Sequence, residues 1–229
     1  MIPVILHYGS RDEQAADLAE IVARELAEAI AERGRATLAV PGGSTPGPFL
    51  SALSAETLDW TKVRVMLTDE RFVPESSERS NTRLLRATLL RGPAAAATMV
   101  PFYAPADAPE AVLDDLIGDV AATLPLDVCV LGMGEDMHTA SLFPGADQLE
   151  AALANGAPAL MAMRAPGAPE PRLTLTAPVL RAARSLHLLI TGPAKQTALQ
   201  AALEATSPAE APVRAVLTAP EPITVHYAD

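Results

Sequence analysis

A single cysteine, Cys129, leaves no partner for an intrachain disulfide. It stands inside an apolar run, where a free cysteine reads as a small buried hydrophobe. Long apolar runs are missing too: none approaches the roughly 18 residues that a membrane-spanning helix needs. Lysine is almost absent, with only Lys62 and Lys195, and aromatic residues make up 3% of the chain. Acid outweighs base, for a formal net charge of −11. That balance argues against nucleic acid as a main partner, because a phosphate backbone requires a basic footprint. It leaves room for a small phosphorylated ligand, since a pocket can be basic on an acidic protein. No H-x-H, HExxH or C-x-x-C spacing occurs, so no metal site is expected. The opening Met1-Ile2-Pro3-Val4-Ile5-Leu6 has no basic head and no small-residue cleavage site, which gives the expectation of a cytoplasmic protein without a leader.

What is there suits a globular α/β protein. The 229 residues are 49% hydrophobic and 20% charged, enough for one sizeable domain, expected over residues 1–229. "SRDEQAADLAEIVARELAEAIAERG" reads as a long amphipathic helix. Ser10 and Glu13 form a capping-box pair, and Gly34 supplies the stop. "ATLAV" (36–40), Val63 to Leu67, "MVPFY", "DVCVL", "SLHLLITG" and "ITVHYAD" read as strands. "PALMAMRA" and "RLTLT" alternate as a pair of strands would. Helical patterns fall between: after "PGGSTP", over "SNTRLLRATLL", over "APEAVLDDLIGDVAATL", over "APVLRAAR" and over "PAKQTALQAALEA". This alternation predicts a single-domain, Rossmann-like, mostly parallel sheet flanked by helices. In such sheets ligands bind beyond the carboxyl ends of the strands.

Four strand-to-helix junctions carry chemistry. "PGGSTP" offers Gly43, Ser44 and Thr45, backbone N–H groups and hydroxyls suited to an anion at a helix start. It is not a Walker A loop, because no Gly-Lys-Ser/Thr follows. "TDER" presents Asp69 and Arg71; the arginine fork suits phosphate, and the carboxylate could orient a sugar hydroxyl or act as a base. In "SERSNTR", capping of the next helix is the expected role of the serine and asparagine. "TGPAK" sets Lys195 in a first helical turn, where its charge opposes the helix dipole and a bound anion would relieve the conflict. "GMGEDMH" begins like a dinucleotide fingerprint, with Gly132 and Gly134, but the third glycine is replaced by Met137. Read instead as a catalytic loop, it places Asp136 two residues from His138, an imidazole able to take a proton from water. His7, His187 and His226 lie in or near strand patterns and read as structural.

"PGGSTP", "TDERFVP", "SNTRLLR", "LGMGEDMHTASLFPG" and "RLTLTAPVL" together resemble the bacterial 6-phosphogluconolactonase family, in order, from about residue 37 to about residue 200. The family shares its fold with glucosamine-6-phosphate deaminases and ribose-5-phosphate isomerases. The resemblance implies hydrolysis of 6-phospho-D-glucono-1,5-lactone, a phosphorylated sugar lactone, with no metal or organic cofactor. It implies His138 as the group that activates water, with Asp136 and Asp69 at the site. Gly43, Ser44, Thr45, Arg71 and Lys195 would face the phosphate or the sugar, with Arg172 as a further contact. Backbone N–H groups near Gly132 to Gly134 are candidates for an oxyanion site. A deaminase/isomerase is the alternative enzyme, but those enzymes carry a glutamate where this chain has Phe143. A sugar-phosphate-binding module without turnover is the non-enzymatic alternative. A monomer or weak homodimer is expected. The family loop reads Asp-Gly-His, whereas this chain has Met137 at the middle position. Met137 is expected at negative φ, as part of the pocket wall.

Overall fold

The computed structural model describes residues 3–229, so Met1 and Ile2, at the head of the segment read as lacking a leader, lie outside the described residues. Strand β1 (Val4–His7) leads into the long helix α1 (Arg11–Arg33). The capping expectation holds: Ser10 Oγ accepts the Glu13 N–H at 3.1 Å. Gly34 ends the helix at φ 75°, a left-handed residue that returns its N–H to the Ile30 carbonyl. Leu18, Val22, Leu26 and Ala29 form the buried stripe of α1.

The chain then alternates as the pattern predicts. It runs through β2 (Ala36–Val40), α2 (Gly47–Leu53), β3 (Val63–Leu67), β4 (Asp69–Arg71), α3 (Asn81–Thr88), β5 (Thr98–Met99), α4 (Leu113–Ala121) and β6 (Val128–Leu131). It continues through α5 (Leu149–Leu153), β7 (Leu160–Met163), β8 (Arg172–Leu175), α6 (Ala177–Arg181), β9 (Ser185–Thr191), α7 (Pro193–Glu204), α8 (Arg214–Leu217) and β10 (Thr224–Ala228). Seven strands form one sheet in the order β1-β10-β9-β6-β2-β3-β5, and each neighbouring pair is parallel. Its inner strands are mostly apolar, and all of β2 and β6 is buried. That is the pattern of strands covered on both faces by helices.

Three differences from the sequence reading have physical reasons. Asp69 to Arg71 is a strand rather than a loop. It pairs antiparallel with β8, which pairs with β7 in a small second sheet. Three charged residues carry no apolar alternation, so their backbone pairing left no trace in the pattern. The strand expected over "MVPFY" is only Thr98–Met99, followed by one further bond from the Val100 N–H to the Val65 carbonyl. The helix expected over "APEAVLDDLIGDVAATL" starts as a 3₁₀ turn at Pro109–Ala111 and becomes α-helical only at Leu113. No described helix is long and apolar enough to cross a membrane.

Candidate active site

The carboxyl ends of β2, β3, β6 and β9 bring the four junctions to one rim. There Gly43, Thr45, Asp69, Arg71, Met133, His138, Phe143, Arg172 and Lys195 line one cavity of about 310 Å³. Ser44 does not line it. Ser44 faces an adjoining hollow with Arg11 and Gln14, which shares Thr45, Leu189 and Thr191 with the first.

The loop after β6 holds the titratable pair. His138 Nδ1 lies 2.5 Å from Asp136 Oδ1, and the His138 backbone N–H reaches the same oxygen at 3.2 Å. Burial alone would raise the Asp136 carboxyl, but the hydrogen bond from His138 and the imidazole's charge together hold it below the ordinary carboxylate value. With Nδ1 engaged, Nε2 is the free nitrogen. Phe143 packs on the imidazole with ring centroids 4.2 Å apart. The Arg172 guanidinium sits 5.7 Å from the centroid of the same Phe143 ring.

Gly134 makes this packing possible. A Cβ at that position would fall 2.1 Å from His138 Nδ1 and 2.3 Å from Asp136 Oδ1. The glycine that looked like half of a nucleotide fingerprint is the floor under the pair. Gly42 has the matching role at the β2 junction, where a Cβ would overlap the Asn81 amide.

Met137 overturns the expectation for it. Its φ is 65°, in the left-handed region, and its side chain packs half-buried against the core instead of lining the cavity. The loop's own bonds require this. The Met137 N–H closes a turn onto the Gly134 carbonyl at 3.1 Å, while the Gly134 N–H bonds the His138 carbonyl at 2.9 Å. The Met137 carbonyl is held by the Val213 N–H at 3.0 Å, and Thr139 Oγ1 donates to the Gly132 carbonyl at 2.8 Å. A bulky residue in this region costs about 1–2 kcal/mol, and the surrounding bonds hold it there. His138 nonetheless faces the glycine turn. The Gly134 N–H, committed to His138, is removed from the candidate oxyanion donors.

The cationic side of the cavity is under-satisfied. Arg71 and Arg172 stand directly opposite each other across β4 and β8. Like charges so placed repel, and the Nε of each is buried without a partner. Burial disfavours the charged form of Arg172, Asp69 opposes this, and Arg71 adds to it. Asp69 Oδ2 is 3.8 Å from Arg172 Nη1 and accepts Ser141 Oγ at 2.5 Å. Lys195, in the first turn of α7, donates to the Met133 carbonyl at 2.6 Å. Two guanidinium groups, a lysine and a helix start thus lie together on this wall, chemistry suited to an anion. Among the described residues, no three His, Cys, Asp or Glu side chains are grouped to hold a metal ion.

The chain matches the model of the family described as glucosamine-6-phosphate isomerases/6-phosphogluconolactonase over residues 9–225. The chain belongs to this family. It is 46% identical to a 6-phosphogluconolactonase of Pseudomonas aeruginosa over 224 residues, covering 96% of this chain and 92% of that one. It is 48% identical to a 6-phosphogluconolactonase of Rhizobium meliloti over 214 residues, covering 92% of each. Its fold matches a crystal structure of a 6-phosphogluconolactonase from Shewanella baltica with a TM-score of 0.96 at 34% identity. That match covers 99% of this chain and 98% of the other.

Sequence reasoning missed two features around the candidate site. Glu70, passed over as one charge in a cluster, is 1% exposed. It accepts the N–H groups of Arg71, Asn81 and Thr82 and the Ser80 hydroxyl, all between 2.7 and 3.1 Å. It thus caps α3 and ties that helix to β4. Ser80 caps α3 as expected, accepting the Arg83 N–H. Phe143, read only as a missing acid, is the plate behind His138. The aromatic scarcity of the chain was the available signal for it.

Proposed function

We propose that this chain hydrolyses 6-phospho-D-glucono-1,5-lactone to 6-phospho-D-gluconate, the second step of the oxidative pentose phosphate pathway. The observation that carries this reading is His138, fixed by Asp136, sharing one cavity with Arg71, Arg172 and Lys195.

With its Nδ1 proton held by Asp136, His138 presents the Nε2 lone pair to water. The water attacks the lactone carbonyl as its proton passes to Nε2. The tetrahedral oxyanion then collapses, the ring C–O bond breaks, and the imidazolium returns the proton to the departing ring oxygen. One water is consumed, and the product carries a new carboxyl and a new hydroxyl. A lactone carbonyl is already electrophilic, so positioning and one general base suffice; the base contributes about 10²–10⁴-fold. Gly43, Thr45, Arg71 and Lys195, which line the cavity, hold the phosphate or the sugar, with Arg172 completing the cationic wall. The phosphate thereby supplies binding energy that orients the reacting carbonyl. Asp69 sets Arg172 and accepts a sugar hydroxyl. Phe143 spreads its negative face behind the imidazolium that forms during the reaction.

In this reading the protein acts as one domain over residues 1–229, in the cytoplasm, as a monomer or weak homodimer, and without a cofactor. The test is to supply freshly made lactone and, separately, glucosamine 6-phosphate. Acid release above spontaneous hydrolysis supports the reading. Ammonia from the amino sugar favours the deaminase, and saturable binding without turnover favours the binding module.

A further inference from the structure

Under α1, five side chains that line no part of the active-site cavity form an unbroken chain. Asp17 Oδ2 meets the Tyr8 hydroxyl at 2.6 Å, and that hydroxyl meets His226 Nδ1 at 2.8 Å. His226 Nε2 meets His187 Nδ1 at 3.1 Å, and His187 Nε2 meets Glu25 Oε2 at 2.9 Å. His226 is fully buried and His187 nearly so. The two histidines sit on the adjacent strands β9 and β10, and the carboxylates project from α1.

Each of these four contacts needs one proton between its heavy atoms. A neutral tyrosine and two neutral histidines bring three, and ionised carboxylates bring none. We infer that the five-member relay from Asp17 through Tyr8, His226 and His187 to Glu25 binds one proton more than its neutral histidines carry, and that this relay, buried at its two histidines, is a proton-binding site.

The order of bonds says where the proton rests. Tyr8 donates to Asp17, so its oxygen accepts from His226 Nδ1–H. His226 Nε2 then accepts from His187 Nδ1–H. His187 must carry a second proton on Nε2 to meet Glu25. The pair His187–Glu25 is thus an imidazolium and a carboxylate, and His226 is the neutral Nδ1–H form. Burial, with the charge of His187 added, pushes His226 down to about 3, and Asp17 only partly opposes this. Tyr8 is pushed up by burial, by its bond to Asp17, and by the charges of Asp17 and Glu13. Placing the extra proton on either carboxyl group leaves the total unchanged, because the relay titrates as a unit.

The sign of the linkage follows from the proton totals. In the unfolded chain, both histidines lose their extra protons around pH ~6.5. Above that value the folded relay holds one proton that the unfolded chain lacks, so stability falls as pH rises. Below it the unfolded chain holds two against one, so stability falls as pH drops. The relay therefore gives a stability maximum near pH ~6.5.

Two measurements on the full-length protein test this. Nitrogen-15 NMR of the imidazoles at pH 7 should find His187 protonated on both nitrogens and His226 on Nδ1 alone. The second measurement is urea unfolding from pH 6 to 9, comparing wild type with Asp17→Asn and Glu25→Gln. Each amide supplies the missing donor, so the variants need no surplus proton. The wild-type folding constant, divided by that of either variant, should fall up to tenfold per pH unit above ~6.5 until the relay releases its proton. A neutral His187 at pH 7 would overturn the inference, as would a ratio that stays flat across this range. The NMR result stands alone if a variant does not fold.

Discussion

His138 Nδ1 rests 2.5 Å from Asp136 Oδ1, directly above a Gly134 Cα that has no room for a methyl group. This one relationship selects the tautomer of the proposed base, aims its other nitrogen, and explains why the loop needs glycine at 134.

Asp136→Asn keeps the shape and loses the tautomer, because the amide can donate to Nδ1 and leave the proton on Nε2. Turnover should drop about 10²–10⁴-fold while KM stays within a few-fold. Steady-state kinetics on fresh lactone check this. An equal loss in KM with turnover kept would mean that Asp136 binds substrate instead.

Gly134→Ala places a methyl 2.1 Å from the imidazole, and the contacts are the working ends of Asp136 and His138. The side chains swing away more easily than the core deforms. The variant should fold, by circular dichroism, with its lactonase rate near that of the His138→Ala protein.

Met137 tests the loop backbone. Met137→Ile puts a β-branched residue at φ 65° and should cost about 1–2 kcal/mol in urea unfolding. Met137→Gly relieves the strain but gives up the side chain's packing on the core, so it should be more stable than the isoleucine variant and keep full activity. A glycine variant less stable than the isoleucine variant would contradict the strain assigned to this position.

Glu70→Gln replaces an acceptor of four hydrogen bonds with a group that offers one acceptor oxygen and two unwanted donors. The expected loss is about 1–3 kcal/mol, read by urea denaturation. Arg71 adjoins the capped helix start, so KM should rise as well.

The Asp136 carboxyl is depressed in the folded protein, and this sets an acid component of stability. That component is complete above the unfolded value of ~3.9 and is lost as pH falls through the lower folded value. Urea midpoints between pH 2 and 5 should show it in wild type and lack it in Asp136→Asn.

The parallel sheet and its main helices were legible because burial on one or both faces writes an apolar period into the chain. Leu18, Val22 and Leu26 announce α1, and the unbroken Val128–Leu131 announces β6. The candidate site was legible in the junctions that follow apolar strands, which carry Gly43, Arg71, His138 and Lys195 to one cavity. β4 was not, since Asp69, Glu70 and Arg71 pair through backbone atoms that any residue supplies. Glu70 looked like surface charge because its partners, the N–H groups of Asn81 and Thr82, come from a helix start eleven and twelve residues on. Ser44 looked equivalent to Thr45, and only the turn geometry sends it to the neighbouring hollow. Met137 misled most. Side-chain identity argues for negative φ, but bonds to Gly134 and to the distant Val213 decide the backbone.

The most direct test is the lactonase rate of wild type and His138→Ala on freshly made 6-phosphogluconolactone, corrected for spontaneous hydrolysis. The proposed mechanism predicts wild-type turnover well above background and a loss of about 10²–10⁴-fold in the variant with KM little changed. Equal rates for the two proteins would contradict it.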